Sequence, residues 1–408
     1  MRLTPAMRSS FPCAVLALAL ALVLSACGGD DQPDTPDAGS AGPAPAVAEA
    51  PAEPPSELDR LRSRVPPTVP ARGGPARPYA LGFTATPALL TPDAYVDVFD
   101  DAARSADLIM IQRPVAWTEV GPDGVVRPET RATIAWERQL LDERGLDLLF
   151  AIDPWDLADR GRLAGDAPGE SFQDEAVGRA YVAYAEFVVR EYRPRWLALA
   201  VDLDAVVRAR PDDLDAIEAA YRRAYAAVKA IAPETLVFAT FQLEDLQGLV
   251  PWSEHLPQWS LVLRFQDVLD LLAVSSYPSL IFPFASDIPD SYYSRLETFQ
   301  KPIALVPSGY ASAPARDGVT FGTLRGQQQF LQRVLREAEA GGWALIVWLT
   351  PDDPSFATAP PFDLFARMGL RAAGGAEKPA WGVWSGSAGR PWQPGVAAGG
   401  EGAPAAYE

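Results

Sequence analysis

Eight short apolar runs alternate along the chain with longer amphipathic stretches. The runs are Tyr79–Thr84, Asp107–Arg113, Leu146–Asp153, Trp196–Asp204, Leu236–Gln242, Val268–Tyr277, Pro302–Val306 and Trp343–Thr350. Near-continuous apolar character is what parallel strands need when both faces are buried. Between the runs, a period near 3.6 predicts helices, most clearly over Pro128–Arg144, Asp174–Tyr192, Asp212–Ile231 and Gly322–Ala340. Asp212 and Asp213 stand on the first turn of the third, where the helix dipole favours acids. Eight strand-then-helix units with right-handed crossovers close into a (β/α)8 TIM barrel, an α/β fold, here one domain over 78–384. An open doubly wound sheet would carry a glycine-rich phosphate turn after its first strand. Gly82-Phe83-Thr84-Ala85-Thr86-Pro87 is no such turn.

The flanks differ in kind. Arg2 and Arg8 precede an apolar run, Ala14–Leu24, too short to span a bilayer and suited to a signal peptide over 1–26. Residues 27–77 are rich in Pro, Ala, Asp and Glu with few large apolar side chains, so a disordered tether is expected. The stretch 385–408, with Gly395-Val396-Ala397-Ala398-Gly399-Gly400, reads as a disordered tail. The chain has 408 residues and a formal charge of −18. Loss of residues 1–26, which carry two arginines and no acid, makes it more acidic still. Such a balance argues against nucleic acid and anionic membrane surfaces, and is silent on neutral polysaccharides. Of the two cysteines, Cys13 lies in the signal segment and Cys27 just beyond it, so the barrel can form no disulfide. With one histidine, His255, a His-rich metal centre is excluded, as is a Ser-His or Cys-His triad built on any other histidine. No metal or cofactor is called for.

Function in such a barrel sits at the C-terminal strand ends. In chain order these ends offer Gln112 and Arg113 with Trp117 beyond, Asp153 with Trp155, Asp202 with Asp204, and Gln242 with Glu244. Then come Ser276 and Tyr277, Pro307, and Trp348 with Asp352 beyond it. Alternation with period two puts Ala198, Ala200, Asp202 and Asp204 on one face, small residues in the lumen and acids at its mouth. Asp202 and Asp204 read equally as ligand-contacting groups and as solvated acids at a loop edge. Trp117, Trp155, Tyr277 and Trp348 are flat rings able to stack on the C–H faces of sugars, or to pack a core.

Several phrases resemble one family. Ala273-Val274-Ser275-Ser276-Tyr277-Pro278 and Lys301-Pro302-Ile303-Ala304-Leu305-Val306-Pro307-Ser308-Gly309-Tyr310 resemble strands six and seven of the retaining (β/α)8 glycoside hydrolases that include endo-galactanases and cellulases. Leu197-Ala198-Leu199-Ala200-Val201-Asp202-Leu203-Asp204 resembles that family's L-S-L-G-N-E-x-N, and Gly369-Leu370 with Lys378-Pro379-Ala380-Trp381 resembles its closing phrases. The resemblance implies that Asp202 stands at the acid/base position and Pro307 at the nucleophile position. It also implies that Trp348 floors the sugar subsite and that Tyr277 lies beside the nucleophile. A proline cannot attack an anomeric carbon, and an Asp for Glu is one methylene short; a misplacement of about 1 Å can cost on the order of 100-fold in rate. Leu24-Ser25-Ala26-Cys27 resembles the lipobox of bacterial lipoproteins, which implies a lipid on Cys27 and a place in the cell envelope. Gly28 in place of Asp favours the outer membrane.

Three functions follow. The leading one is an envelope lipoprotein whose glycoside-hydrolase-like barrel binds oligo- or polysaccharide with hydrolysis impaired or absent. The second is an active endo-glycosidase with a rearranged pair, Asp202 with Asp153, Glu244 or Asp352. An inverting pair of that kind needs carboxyls roughly 6.5–9.5 Å apart. The third is an envelope scaffold with no carbohydrate ligand.

Overall fold

The computed structural model describes residues 57–118, 128–251, 254–314, 320–359 and 362–394. Cys27, the signal segment and the final residues of the tail lie outside them. The elements in order are α1 (Glu57–Arg62), β1 (Ala80–Thr84), α2 (Pro92–Ser105), β2 (Leu108–Pro114), α3 (Pro128–Arg144), β3 (Asp147–Asp153), α4 (Glu175–Tyr192) and β4 (Trp196–Ala200). They continue with α5 (Leu203–Ala209), α6 (Leu214–Ile231), β5 (Leu236–Gln242), α7 (Leu243–Leu246), α8 (Trp259–Phe265) and β6 (Leu272–Ser276). The series ends with α9 (Ser294–Glu297), β7 (Ile303–Ser308), α10 (Leu324–Gly341), β8 (Leu345–Trp348) and α11 (Pro379–Ala388). The eight strands form a closed parallel barrel in sequential order, β8 pairing back onto β1. The protein is a single (β/α)8 barrel.

Local sequence explains the element ends. Thr91 caps α2, accepting from the Ala94 N–H at 3.2 Å, with Pro92 at the first helical position. Asp174 caps α4 in the same way. Thr323 caps α10, which stops at Gly342, whose φ of 59° suits glycine. Strands β1, β4 and β6 are buried along their whole length, as apolar runs between lumen and helix layer must be.

Three boundaries depart from expectation, each for a physical reason. First, β4 stops at Ala200, not Asp204; Asp202 has φ 48° and starts α5. Period-two alternation therefore ends before the two acids, and they do not share a strand face. Second, β7 runs on through Pro307 to Ser308. Its ladders to β6 and β8 both slip near Pro307, the residue that has no N–H to donate. Third, residues on both sides of 78–384 pack on the barrel. From Glu57 the strap expected to be a tether packs on α2 and α3. Leu61 is buried, Arg64 reaches Asp100 at 2.9 Å, and Arg72 and Arg77 both pair with Asp107. At the other end Arg77 and Trp392 form a parallel bridge, Arg77 N–H donating to the Pro391 carbonyl at 2.9 Å. Two chain ends poor in apolar residues are held by arginine–carboxylate pairs, which a count of hydrophobic residues does not register.

Candidate functional site

The C-terminal ends of β2 to β6 carry the residues that sequence singles out, and two hydrogen-bonded networks join them. In the first, Arg160 is the hub. Its Nη1 donates to both carboxylate oxygens of Asp153 at 2.8 Å, and its Nη2 donates to the Val201 carbonyl at 2.8 Å. The same Nη2 lies 3.7 Å from Asp202 Oδ2. Gln112 Nε2 donates to Asp153 Oδ2 at 2.9 Å, and Ser275 Oγ donates to Asp202 Oδ1 at 3.0 Å. The Asp202 N–H reaches Thr240 Oγ1 at 3.0 Å, which holds the turn out of β4. One arginine thus ties β3, the exit of β4 and the loop between β3 and α4 together.

The second network is built on Glu244. Its Oε1 accepts from Ser276 Oγ at 2.7 Å, from the Tyr277 N–H at 2.9 Å and from the Tyr292 hydroxyl. Its Oε2 accepts from Gln242 Nε2. Gln242 Oε1 in turn accepts from the Asp245 N–H, and the Gln242 N–H donates to Asp204 Oδ1 at 2.9 Å. Beside this network Asp245 pairs with Arg208 and with His255 Nε2 at 2.8 Å. Glu244 is therefore occupied by four donors, the arrangement of a carboxylate that holds loops in place.

Burial sets the electrostatics. Gln112, Asp153, Arg160, Asp202, Asp204, Gln242 and Glu244 are each 3% exposed or less. Burial pushes the Asp153 carboxyl up against the opposing pull of Arg160. Burial also raises Glu244, while the Tyr292 and Ser276 hydroxyls draw it back. Asp204 is raised well above the usual carboxylate range, by burial first and then by the charges of Asp245 and Asp202. Its Oδ2 has no hydrogen-bond partner among the described residues, nor has Gln112 Oε1. Among the same residues no cluster of three His, Cys, Asp or Glu side chains could hold a metal ion.

The aromatic residues are placed differently from a sugar platform. Trp348 faces the helix layer. Its Nε1 donates to the Met368 carbonyl at 2.8 Å, its ring lies 6.2 Å from Phe330 of α10, and its register partner Phe83 packs on Trp384 of α11. It does not floor the mouth. Tyr277 is buried edge-on against Phe365 at 5.2 Å. Trp117 donates from Nε1 to the Ala164 carbonyl at 2.6 Å, and Trp155 packs on Phe172 at 5.6 Å. Trp155 belongs to the loop between β3 and α4, and Trp117 bonds to that loop. Arg113 points away from the mouth into a buried cluster with Glu137 and Tyr192. Asp352 pairs with Arg371, apart from the two networks.

The structure thus joins Asp153 with Asp202, and Asp204 with Gln242 and Glu244, and leaves Trp348 and Asp352 elsewhere. Pro307 is buried in β7 and contributes no polar side chain. Sequence reasoning missed Arg160, Ser275, Thr240 and Tyr292. Tyr292 lies just before α9, far along the chain from Glu244. Arg160 sits in a polar loop with no distinguishing pattern, so nothing along the chain marks it.

No family model matches the chain, and no curated protein matches it by sequence. Solved structures do. An exo-β-1,4-mannosidase from Opitutaceae bacterium strain TAV5 superposes with a TM-score of 0.55 at 16% identity, over 79% of this chain and 62% of that one. This chain therefore spans less than two thirds of the mannosidase's length. A GH5_18 protein from Bifidobacterium longum subsp. longum gives 0.55 at 15% identity, over 78% and 81%. A family 39 glycoside hydrolase from Bacteroides cellulosilyticus WH2 gives 0.51 at 14% identity, over 79% and 66%. At such identities the likeness is one of fold: the chain is a single-domain (β/α)8 barrel of the kind found in glycoside hydrolases.

Proposed function

We propose that this protein is an exported, lipid-anchored barrel of glycoside-hydrolase ancestry that binds glycan and has lost hydrolysis. The observation that carries the reading is Arg160, buried between Asp153 and Asp202 at the strand ends. Retaining hydrolysis uses two carboxyls about 5–5.5 Å apart, open to substrate and water. Here the strand-seven position is Pro307, Asp202 is engaged by Ser275 and lies beside Arg160, and Glu244 is held by four donors. The lipobox-like Leu24-Ser25-Ala26-Cys27 supports export and anchoring, and Gly28 favours the outer membrane. Glycan as ligand is supported by the shared fold and by two neighbours. GH5_18 structures from Bifidobacterium longum subsp. longum and from Streptomyces cattleya are complexes with Manβ1-4GlcNAc and with GlcNAc.

The test is a panel of mannosyl-, galactosyl- and hexosaminyl-oligosaccharides scored for both binding and turnover. Binding without turnover is the expected outcome. Turnover abolished by Asp202→Asn would instead favour the rearranged-pair enzyme. A second reading, an envelope scaffold without carbohydrate ligand, is favoured by the burial of Trp117, Trp155, Tyr277 and Trp348. Failure of every glycan to bind would establish it over the first.

A further inference from the structure

The cation that balances Asp153 and Asp202 comes from the loop between β3 and α4, not from the barrel wall. Within that loop Arg160 is buried while Ala158, Asp159 and Arg162 are exposed. The stem of the loop is packed in, with Trp155, Leu163, Ala164 and Phe172 buried, whereas the tip over 156–162 is held to the rest of the barrel by Arg160 and by Arg210 Nη1 on the Gly161 carbonyl at 2.9 Å. One buried acceptor nearby, Gln112 Oε1, has no partner among the described residues. Gln112 is bonded to Asp153 itself, so its spare oxygen lies beside the Arg160 pair.

We propose that this loop is a latch in which Arg160 occupies a cation subsite made by Asp153 and Asp202, and that a glycan with free amino groups, a de-N-acetylated hexosamine chain, displaces it. The inference rests on the glycan-binding reading and narrows its ligand. A protonated sugar amine replaces the guanidinium charge, and the sugar's hydroxyl and ammonium hydrogens are donors for Gln112 Oε1. A neutral or anionic glycan leaves two carboxylates without a cation once Arg160 departs, which is strongly unfavourable at a desolvated site. The chain's charge of −18 also draws a polycation in.

The experiment is calorimetric titration of the full mature chain with a glucosamine hexamer and with its fully N-acetylated counterpart. It is paired with hydrogen exchange on peptides covering residues 154–174. The free-amine hexamer is expected to bind at least about tenfold more tightly than the acetylated one and to speed exchange in the loop. Arg160→Gln should bind the free-amine hexamer about tenfold more tightly than wild type, because no latched fraction competes. If that variant does not fold, Arg160→Lys, which keeps the charge and loses the fork, should also bind more tightly. Equal binding of the two hexamers, unchanged loop exchange, or unchanged affinity in the folded variant overturns the latch and leaves glycan binding standing. Binding of neither hexamer overturns the latch as well. If the wider oligosaccharide panel also fails, the glycan reading goes with it.

Discussion

Arg160 Nη1 lies 2.8 Å from each carboxylate oxygen of Asp153, and both side chains are almost wholly excluded from water. This one contact links the tip of the loop between β3 and α4 to the end of β3. It also leaves Arg160 Nη2 beside Asp202, at 3.7 Å from Oδ2.

Breaking such a pair from one side should be costly. Asp153→Ala leaves the guanidinium buried with only Asp202 and the Val201 carbonyl, and is expected to destabilise the barrel by about 3–5 kcal/mol. Replacing both partners with apolar residues, Asp153→Leu with Arg160→Met, should cost less than the single change. Denaturant midpoints at constant m decide it. A single variant within about 0.5 kcal/mol of wild type would mean the pair does not hold the loop.

Asp204 makes stability depend on pH in a defined sense. Its carboxyl is raised well above the usual range by burial, with Asp245 and Asp202 adding to the effect. The folded chain keeps a proton that the unfolded chain releases once pH passes about 4. The group's contribution is therefore complete below that point and is lost as pH rises toward the folded value. Asp204→Asn cannot ionise and keeps an oxygen for the Gln242 N–H. It should be more stable than wild type at pH 7 and similar at pH 3. Unfolding curves at the two pH values that run parallel for both proteins would refute this.

The strap before β1 should carry real stability. A chain beginning at Glu57 is expected to melt with the mature protein. One beginning at Tyr79 loses Arg77, Arg72 and Leu61 together, and leaves Asp107 buried without either arginine. A loss of at least about 3–5 kcal/mol is expected. Identical melting of the two truncations would return residues 57–77 to the status of a tether.

Pro307→Glu should not create a glycosidase. It places a carboxylate in a buried strand with no arranged donor, at a cost of roughly 1–3 kcal/mol or more. Asp202 remains one methylene short and beside Arg160. No covalent glycosyl intermediate is expected by intact mass spectrometry with a fluorosugar probe, in wild type or variant. A labelled variant would show that the mouth still opens to substrate in a catalytic geometry.

Cys27 should be the mature N-terminus and carry lipid. Mass spectrometry of the protein from a membrane fraction is expected to show an acylated N-terminal peptide beginning there. A mature chain that starts elsewhere, or an unmodified Cys27, would remove the anchor.

Hydrophobic periodicity and one missing turn motif determined the architecture. Eight runs buried on both faces and the helices between them give a parallel sheet covered twice, and the lack of a glycine-rich turn after the first run sets the open doubly wound sheet aside in favour of the barrel. The same local logic located Asp153, Asp202, Glu244 and Gln242 near the strand ends. What the tertiary structure decided is how these groups are used. Asp202 leaves the strand alternation through one left-handed residue, Trp348 turns to the helix layer, and Pro307 lies within the strand. Arg160, in an unmarked loop, reaches across to two acids far apart in the chain. Periodicity reports which side of an element is apolar. It does not report which distant charge will neutralise a buried carboxylate, since that depends on through-space distance and desolvation, and neither is written in local sequence.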